Sequence, residues 1–258
     1  MKLVIFAGGQ GSRLSEETTL RPKPMVEIGG HPILWHIMKL YSHYGIKEFI
    51  LCLGYKGYII KEWFSQYSLH NSDFTIDLLR NEIVVHSKPC DDWKVTLVDT
   101  GLAVHTATRL AVVRSYIGDS DFMLTYGDGL SDIDIHKLLA FHKQHNKIAT
   151  VTAVQPEGRF GSLTLGKDDR VEDFSEKVDT QHSWVNGGFF ILRPAVFDYL
   201  PKDDVMWERE PLEKLAGDNQ LMAYRHHGFW KAMDTLRDKN QLEALWTLPK
   251  PPWKVWKD

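Results

Sequence analysis

Cysteine is scarce in this 258-residue chain, which carries only Cys52 and Cys90. Two thiols exclude a disulfide-dense scaffold and a Cys-rich zinc site, and Cys52, inside the apolar run 49–53, reads as a buried thiol. Long apolar runs are missing too: nothing approaches the ~18 consecutive apolar residues of a membrane span. The apolar segment 3–7 is too short for the core of a secretory signal. A reducing, cytoplasmic setting is therefore expected. There is no excess of one charge, with Lys and Arg totalling 31 against 34 Asp and Glu, a net of −3. No bulk positive field for nucleic acid follows from such a balance, whereas a small anionic ligand needs only a few well-placed cations. Neither a flexible linker nor a low-complexity tract interrupts the chain. With 43% hydrophobic and 25% charged residues, it falls in the globular class rather than the disordered or membrane class.

What is present reads as alternating strands and helices. Residues 3–7 are continuously apolar, the pattern of a strand buried on both faces, and Gly8-Gly9-Gln10-Gly11 follows at once. Pro32 opens a helix whose apolar positions Ile33, Leu34, Ile37, Leu40, Tyr41 and Tyr44 recur at spacings of three and four, and Gly45 closes it. A strand at 48–53 and a helix at 57–67 complete a unit that starts a parallel sheet with right-handed crossovers. The short β-rich segments 74–78, 83–85 and 95–98 are expected at the margin of that sheet. A helix over 106–117, a strand over 122–126, a helix capped by Asp132 or Asp134 and running to His145, and a strand over 148–154 follow. Beyond Pro156, glycines punctuate short strands at 162–165, 171–175 and 184–192. A short helix from Pro194, a helix over 208–216, a strand over 221–225 and a helix over 235–246 complete the chain. The expected architecture is one three-layer α/β unit with a Rossmann-like mixed sheet. Residues 1–155 form a nucleotide-binding half, and 156–258 a smaller β-rich half that faces a sugar or other substrate.

Gly8-Gly9-Gln10-Gly11-Ser12-Arg13 stands directly after a buried strand. Glycines there let backbone N–H groups approach phosphate oxygens without a Cβ in the way. A dinucleotide fingerprint would need a further glycine where Leu14 stands, and no Gly-Lys-Ser/Thr run supplies a P-loop. A tight strand-to-loop turn remains the plain alternative. Arg13 adds a bidentate fork for phosphate. In Pro22-Lys23-Pro24, two prolines fix the backbone on either side of one ammonium. Together these suit a polyphosphate. Asp128, between Gly127 and Gly129 at the end of a strand, offers a hard oxygen ligand suited to Mg²⁺, or else an Asp-Gly turn. Asp234 is either a second such carboxylate or a helix N-cap. Asn186, before Gly187-Gly188, can bond sugar hydroxyls or simply form a turn. The 12 histidines are dispersed, and Ser12 has no His and Asp partners in sequence, so it reads as a phosphate-loop hydroxyl. The tail bearing Trp246, Trp253 and Trp256 among Pro249, Pro251 and Pro252 is expected to pack on its own domain or on a neighbouring subunit.

The glycine run followed by Pro22-Lys23-Pro24-Met25 resembles the signature of the sugar-phosphate nucleotidyltransferases. The likeness continues in order through Asp99-Thr100-Gly101, Tyr126-Gly127-Asp128-Gly129, Gly158-Arg159-Phe160-Gly161, Glu176-Lys177 and Asn186-Gly187-Gly188-Phe189-Phe190. It ends with Trp207-Glu208-Arg209-Glu210-Pro211-Leu212 and the segment from Gly228 to Thr235. It is nearest to members that join CTP to glucose 1-phosphate. Ala107 and Thr108 stand where such members read glycines, and Val178 where they read proline. The resemblance implies a nucleotide-diphospho-sugar transferase fold and transfer of a cytidylyl group to α-D-glucose 1-phosphate. It also implies Mg²⁺ as cofactor, a homo-oligomer, no membrane or nucleic-acid partner, and a product used in deoxysugar and surface-polysaccharide (O-antigen) synthesis. Ala7, Gly8, Gly9, Gly11, Ser12, Arg13, Lys23, Thr106, Arg109 and Gly127 would bind the nucleotide. Gly161, Glu176, Lys177 and Asn186 would bind the sugar phosphate. Asp128 and Asp234 would hold the metal, and Arg13, Lys23 and Asp128 would be catalytic. The alternatives are UTP or dTTP in place of CTP, a different sugar 1-phosphate, or a non-catalytic nucleotide-sugar-binding protein. The failed dinucleotide fingerprint disfavours an NAD-linked oxidoreductase.

Overall fold

The computed structural model describes residues 1–87, 91–156, 162–165, 171–175 and 184–257, with 162–165 and 171–175 described by their backbone alone. Four parallel strands, β1 (Lys2–Ala7), β2 (Glu48–Leu53), β3 (Lys94–Asp99) and β4 (Phe122–Tyr126), lie in the spatial order β4-β1-β2-β3. Four more extend the same sheet: β5 (Ala149–Val154), β6 (Val185–Asn186), β7 (Phe190–Leu192) and β8 (Leu221–Arg225). β7 runs antiparallel between β4 and β5, β6 pairs antiparallel with the far end of β5, and β8 lies parallel on the other side of β5.

The central position of β1 follows from its sequence. Successive strand residues point to opposite faces, so a continuous apolar run has to be covered twice. Leu3, Ile5 and Ala7 enter one core with helices α1 (Ile33–His43), α4 (Ile135–His145), α6 (Leu236–Trp246) and the Ile60 side of α2 (Gly57–His70). Val4 and Phe6 enter the other with α3 (Thr106–Val112), α5 (Glu210–Gly217), the one-turn helix Arg114–Ile117 and the 3₁₀ helix Pro194–Tyr199. Each large apolar side chain so hidden contributes about 1.5–3 kcal/mol of transfer free energy. The three layers expected from the sequence are present.

Two expectations change. Residues 74–85 do not lie on the sheet: Phe74–Asp77 and Glu82–Val85 form a separate antiparallel hairpin. The single strand expected over 184–192 is broken between β6 and β7, where Gly188 (φ +76°) and Phe189 (φ +50°) turn left-handed. The arch is held because Asn186 Oδ1 accepts from Gly188 N (2.8 Å) and Thr152 O accepts from Gly187 N (2.9 Å). The tail packs on its own chain. Trp253 is fully buried, and its Nε1 donates to His36 Nδ1 at 3.3 Å. Because Nδ1 accepts, the proton of the neutral ring sits on Nε2, which donates to Ile28 O at 2.8 Å.

Candidate active site

β1 and β4 are adjacent and parallel, so Ala7 and Tyr126 both end at one edge of the sheet, where ligands collect in open α/β folds. The glycine loop leaves β1 at that edge. A Cβ on Gly8 would come within 2.3 Å of Arg109 Nη1, so only glycine lets that guanidinium pass. Gly11 adopts φ +63°, and its carbonyl accepts from Thr18 Oγ1 at 3.2 Å. A Cβ on Gly9 would meet nothing within 4 Å, so its backbone faces open space. Ser12 then begins a single 3₁₀ turn, Ser12–Leu14, with Arg13 at its exposed middle.

Lys23 lies at the start of another 3₁₀ turn, Lys23–Met25, with both flanking prolines in place. Pro24 packs against the loop of the second motif: a Cβ on Gly127 would meet Pro24 at 3.0 Å and Phe6 O at 2.8 Å. The lysine is thereby aimed at Asp128, and its Nζ donates to Asp128 Oδ2 at 2.6 Å and to Asp234 Oδ1 at 2.8 Å. The two carboxylates, 106 positions apart in the chain, are joined by a ribbon of two three-residue strands. Gly129–Ser131 pairs antiparallel with Trp230–Ala232, and Met233 N donates to Asp128 O at 2.9 Å. Asp234 is not the N-cap of α6. Thr235 takes that position and forms a capping box with Asp238, which leaves the Asp234 side chain turned to Lys23 and to Arg13 Nη1 at 3.2 Å. Burial works against the Lys23 charge, but the adjacent Asp128 charge and the hydrogen bonds to Asp128 and Asp234 outweigh it and raise the pKa. The lysine therefore stays protonated at neutral pH.

Asp128 and Asp234 also fit a divalent cation. One oxygen of each lies within hydrogen-bonding distance of a single point, now held by Lys23 Nζ. Two carboxylates with phosphate and water completing the shell is the usual Mg²⁺ arrangement. The charges of Arg13 and Lys23 are balanced by those of Asp128 and Asp234, so an entering polyphosphate needs a further positive charge.

A cavity of about 380 Å³ opens beside this cluster, and Gly8, Gly9, Gly11, Ser12, Arg13, Lys23, Thr106, Arg109, Gly127 and Asp128 all line it, with Ala7 at its base. Arg109 is 4% exposed and faces inward. Its Nη1 donates to Leu53 O (3.0 Å), Thr100 Oγ1 (2.7 Å) and Gly101 O (2.8 Å), and Nη2 to Gly8 O (3.2 Å). The guanidinium thus clamps the ends of β1, β2 and β3 together while it also lines the cavity. Ala107 and Thr108 turn away from the cavity: Ala107 enters the core, and Thr108 Oγ1 donates to Asp204 at 2.6 Å. Thr106 Oγ1 donates to Glu208 at 2.7 Å and accepts from Trp207 N at 2.8 Å. Asn186 Nδ2 donates to Tyr126 Oη at 3.2 Å. Tyr126 and Glu208 also line the cavity, and sequence reasoning assigned neither a role although both stand within the motifs named above. Gly161, Glu176 and Lys177 lie outside the described residues.

The fold and the site define a three-layer α/β protein with a glycine-lysine-carboxylate constellation at the carboxyl ends of its parallel strands. Solved structures of the same fold include HddC from Yersinia pseudotuberculosis (TM-score 0.69, 24% identity, 95% of this chain and 99% of that one). Another is UDP-glucose pyrophosphorylase complexed with UDP-glucose (TM-score 0.67, 15% identity, 95% and 97%). The family model described as nucleotidyl transferase matches residues 2–247, and the chain belongs to that family. Curated relatives include the glucose-1-phosphate cytidylyltransferase of Salmonella typhimurium, 54% identical over 99% of this chain and 100% of its own. The probable glucose-1-phosphate cytidylyltransferase of Bacillus subtilis is 47% identical over the same shares.

Proposed function

We propose that the chain transfers a cytidylyl group from CTP to α-D-glucose 1-phosphate, forming CDP-glucose and releasing pyrophosphate, with Mg²⁺ as its metal. The observation that carries this reading is the cluster beside the glycine loop in which Lys23 bridges Asp128 and Asp234 and Arg13 pairs with the other oxygen of Asp234. The choice of substrates is supported by likeness over the full chain to relatives named for that reaction. A phosphate oxygen of the sugar phosphate bonds to the α-phosphorus of CTP while the bond from that phosphorus to the oxygen shared with the β-phosphate breaks. The attacking phosphate is already ionised at neutral pH, so no strong general base is required. The obstacle is repulsion, about 4 kcal/mol for two unit charges ~4 Å apart at an effective dielectric of ~20. When bound between Asp128 and Asp234, the metal supplies charge neutralisation and a template for phosphate oxygens. Backbone groups of Gly8, Gly9 and Gly11 with Ser12 cradle the triphosphate. Arg13 steadies charge on the departing pyrophosphate, and Lys23 moves from the carboxylates to the α-phosphate oxygens. Gly161, Glu176, Lys177 and Asn186 hold the sugar phosphate. Residues 1–155 serve mainly the nucleotide and 156–258 mainly the sugar phosphate.

The homo-oligomer is supported by the hairpin 74–85, whose large apolar side chains are exposed. No described helix is long and apolar enough to cross a membrane. The test is pyrophosphate release from CTP and glucose 1-phosphate, with and without Mg²⁺, beside UTP, dTTP and other sugar 1-phosphates. Turnover is expected with CTP and glucose 1-phosphate, and its loss on chelation. A clear preference for another nucleotide or sugar, or no turnover at all, overturns the reading.

A further inference from the structure

We propose that His226 is a positioning residue for the metal-binding carboxylates: its ring pins the far end of the ribbon that carries Asp128 and Asp234, and so fixes how those two side chains face each other. The inference rests on the reading given above, in which both carboxylates hold the metal. The ribbon is short. Its strands pair Gly129 with Ala232, Leu130 with Lys231 and Ser131 with Trp230, and nothing more. A two-stranded ribbon on its own is marginal in water. A slip of one residue in its pairing would carry Asp234 about 3.4 Å along Asp128. Mg²⁺ demands oxygen ligands at about 2.0–2.1 Å in a near-octahedral array. The register therefore needs a support beyond three residue pairs.

That support lies at the end of the ribbon away from the carboxylates. His226 N donates to Ala153 O at 2.9 Å, which continues the pairing of β8 with β5 and anchors the residue to the main sheet. Its ring Nε2 lies 3.2 Å from Ser131 Oγ, 3.2 Å from Phe229 O and 3.0 Å from Asp132 Oδ1. A carbonyl and a carboxylate both accept, so Nε2 carries a proton and donates into this group. Ser131 Oγ in turn donates to Phe229 O at 2.8 Å and accepts from Ile133 N at 3.2 Å. Phe229 O also accepts from Asp132 N at 3.2 Å. One ring thus touches the ends of both strands and ties them to β5. Ser131 is fully buried and the His226 side chain is 11% exposed, so water competes poorly for these bonds. Gly228 lets the chain turn here, because a Cβ on it would run into Asp132 Oδ1 and come within 2.8 Å of His226 Cε1. A second tether, from Trp230 Nε1 to Gly187 O at 2.8 Å, keeps the ribbon attached when the ring is lost. Loss of the ring therefore loosens the register without freeing the strands.

The test compares wild type with three variants. His226→Leu keeps bulk and removes the donor, His226→Gln offers an amide N–H near the place of Nε2, and Gly228→Ala forces Asp132 away from the ring. His226→Leu is expected to lower kcat, and to raise the Mg²⁺ concentration for half-maximal turnover, by about tenfold or more, in line with the cost of a small misplacement of reacting groups. Gly228→Ala should change both in the same direction, and His226→Gln should restore most of both. Hydrogen exchange read by mass spectrometry needs neither substrate nor metal. In His226→Leu, exchange should quicken in peptides spanning 129–133 and 229–234 and stay that of wild type elsewhere, and His226→Gln should match wild type throughout. Unchanged Mg²⁺ dependence in His226→Leu overturns the proposal, and so does a Gln variant as impaired as Leu. Faster exchange across the whole sheet makes the residue merely structural and overturns it too. If wild type itself shows no turnover, the proposed function has failed, and the exchange pattern decides the inference: quickening confined to the ribbon supports it, and none overturns it.

Discussion

Lys23 neutralises two carboxylates, Asp128 and Asp234, and the proposed reaction needs the same ammonium at phosphate. Replacing it with alanine removes a preorganised positive charge and leaves Asp128 and Asp234 facing each other. Lys23→Ala and Asp128→Ala are each expected to lower turnover by about 10²–10³, the usual cost of one such electrostatic contact, while far-ultraviolet circular dichroism stays that of wild type. Retained turnover in either folded variant would remove these residues from the catalytic role. Arg109 should behave differently. Its guanidinium ties three loop ends, but Gly8 O and Leu53 O also accept from Tyr55 N and Thr100 N. Losing it therefore leaves those acceptors only partly unsatisfied. Arg109→Leu is expected to lower unfolding free energy in urea by about 1–3 kcal/mol and to raise KM for the nucleotide as the Gly8 loop loosens. Unchanged stability with a raised KM would instead mean that the guanidinium reaches the nucleotide.

Elements differ in how far their own residues announce them. The buried strands were legible because a run such as Leu3 to Ala7 has to be covered on both faces. The glycine loop and the lysine between two prolines were legible because their geometry is set within a few residues. The ribbon that brings Asp234 to Asp128 was not. Each of its strands has three residues, and their pairing is a long-range event with no local periodicity. The inward turn of Arg109 depends on carbonyls from three separate strand ends, and the place of Tyr126 and Glu208 on the cavity wall appears only once distant segments meet there. The tail and α1 meet in a similarly distant contact, with a measurable consequence. His36 is fully buried among Trp35, Trp246, Trp253 and Trp256, and burial depresses its pKa from 6.5 to about 4. Between those values the unfolded chain binds a proton that the folded chain refuses. The stabilisation is therefore full above about pH 6.5 and is lost as pH falls towards 4, with up to roughly 3 kcal/mol at stake. His142, also depressed to about 4 by burial, acts in the same direction. Urea midpoints measured from pH 7 to pH 4 should fall, and His36→Gln should flatten part of that fall. An unchanged slope would assign the acid sensitivity to other groups.

At the scale of the whole molecule, the hairpin 74–85 is the part that one chain leaves unsatisfied. Phe74 pairs with Val85 and Ile76 with Ile83, so these four share one face, while Thr75, Asp77, Glu82 and Val84 share the other. The apolar face is open to water: Phe74 and Val85 are more than a third exposed, and Ile76 and Ile83 about half. An isolated two-stranded hairpin is only marginally stable in water and needs something to pack against. Contiguous apolar patches on soluble proteins mark interaction surfaces. A second copy of this chain offers the same stripe, and closed symmetric assembly is the common outcome for such self-complementary surfaces. Wild type is therefore expected to scatter light as a multiple of 29.8 kDa. Ile76→Lys combined with Ile83→Lys, placing two like charges opposite each other on that face, is expected to shift the mass to a single chain. The sheet and the cavity at the end of β1 are separate from the hairpin, so the variant should keep its circular dichroism and its binding of CTP. A single-chain mass for wild type, or an unchanged multiple for the variant, would show that the hairpin is not what joins the subunits.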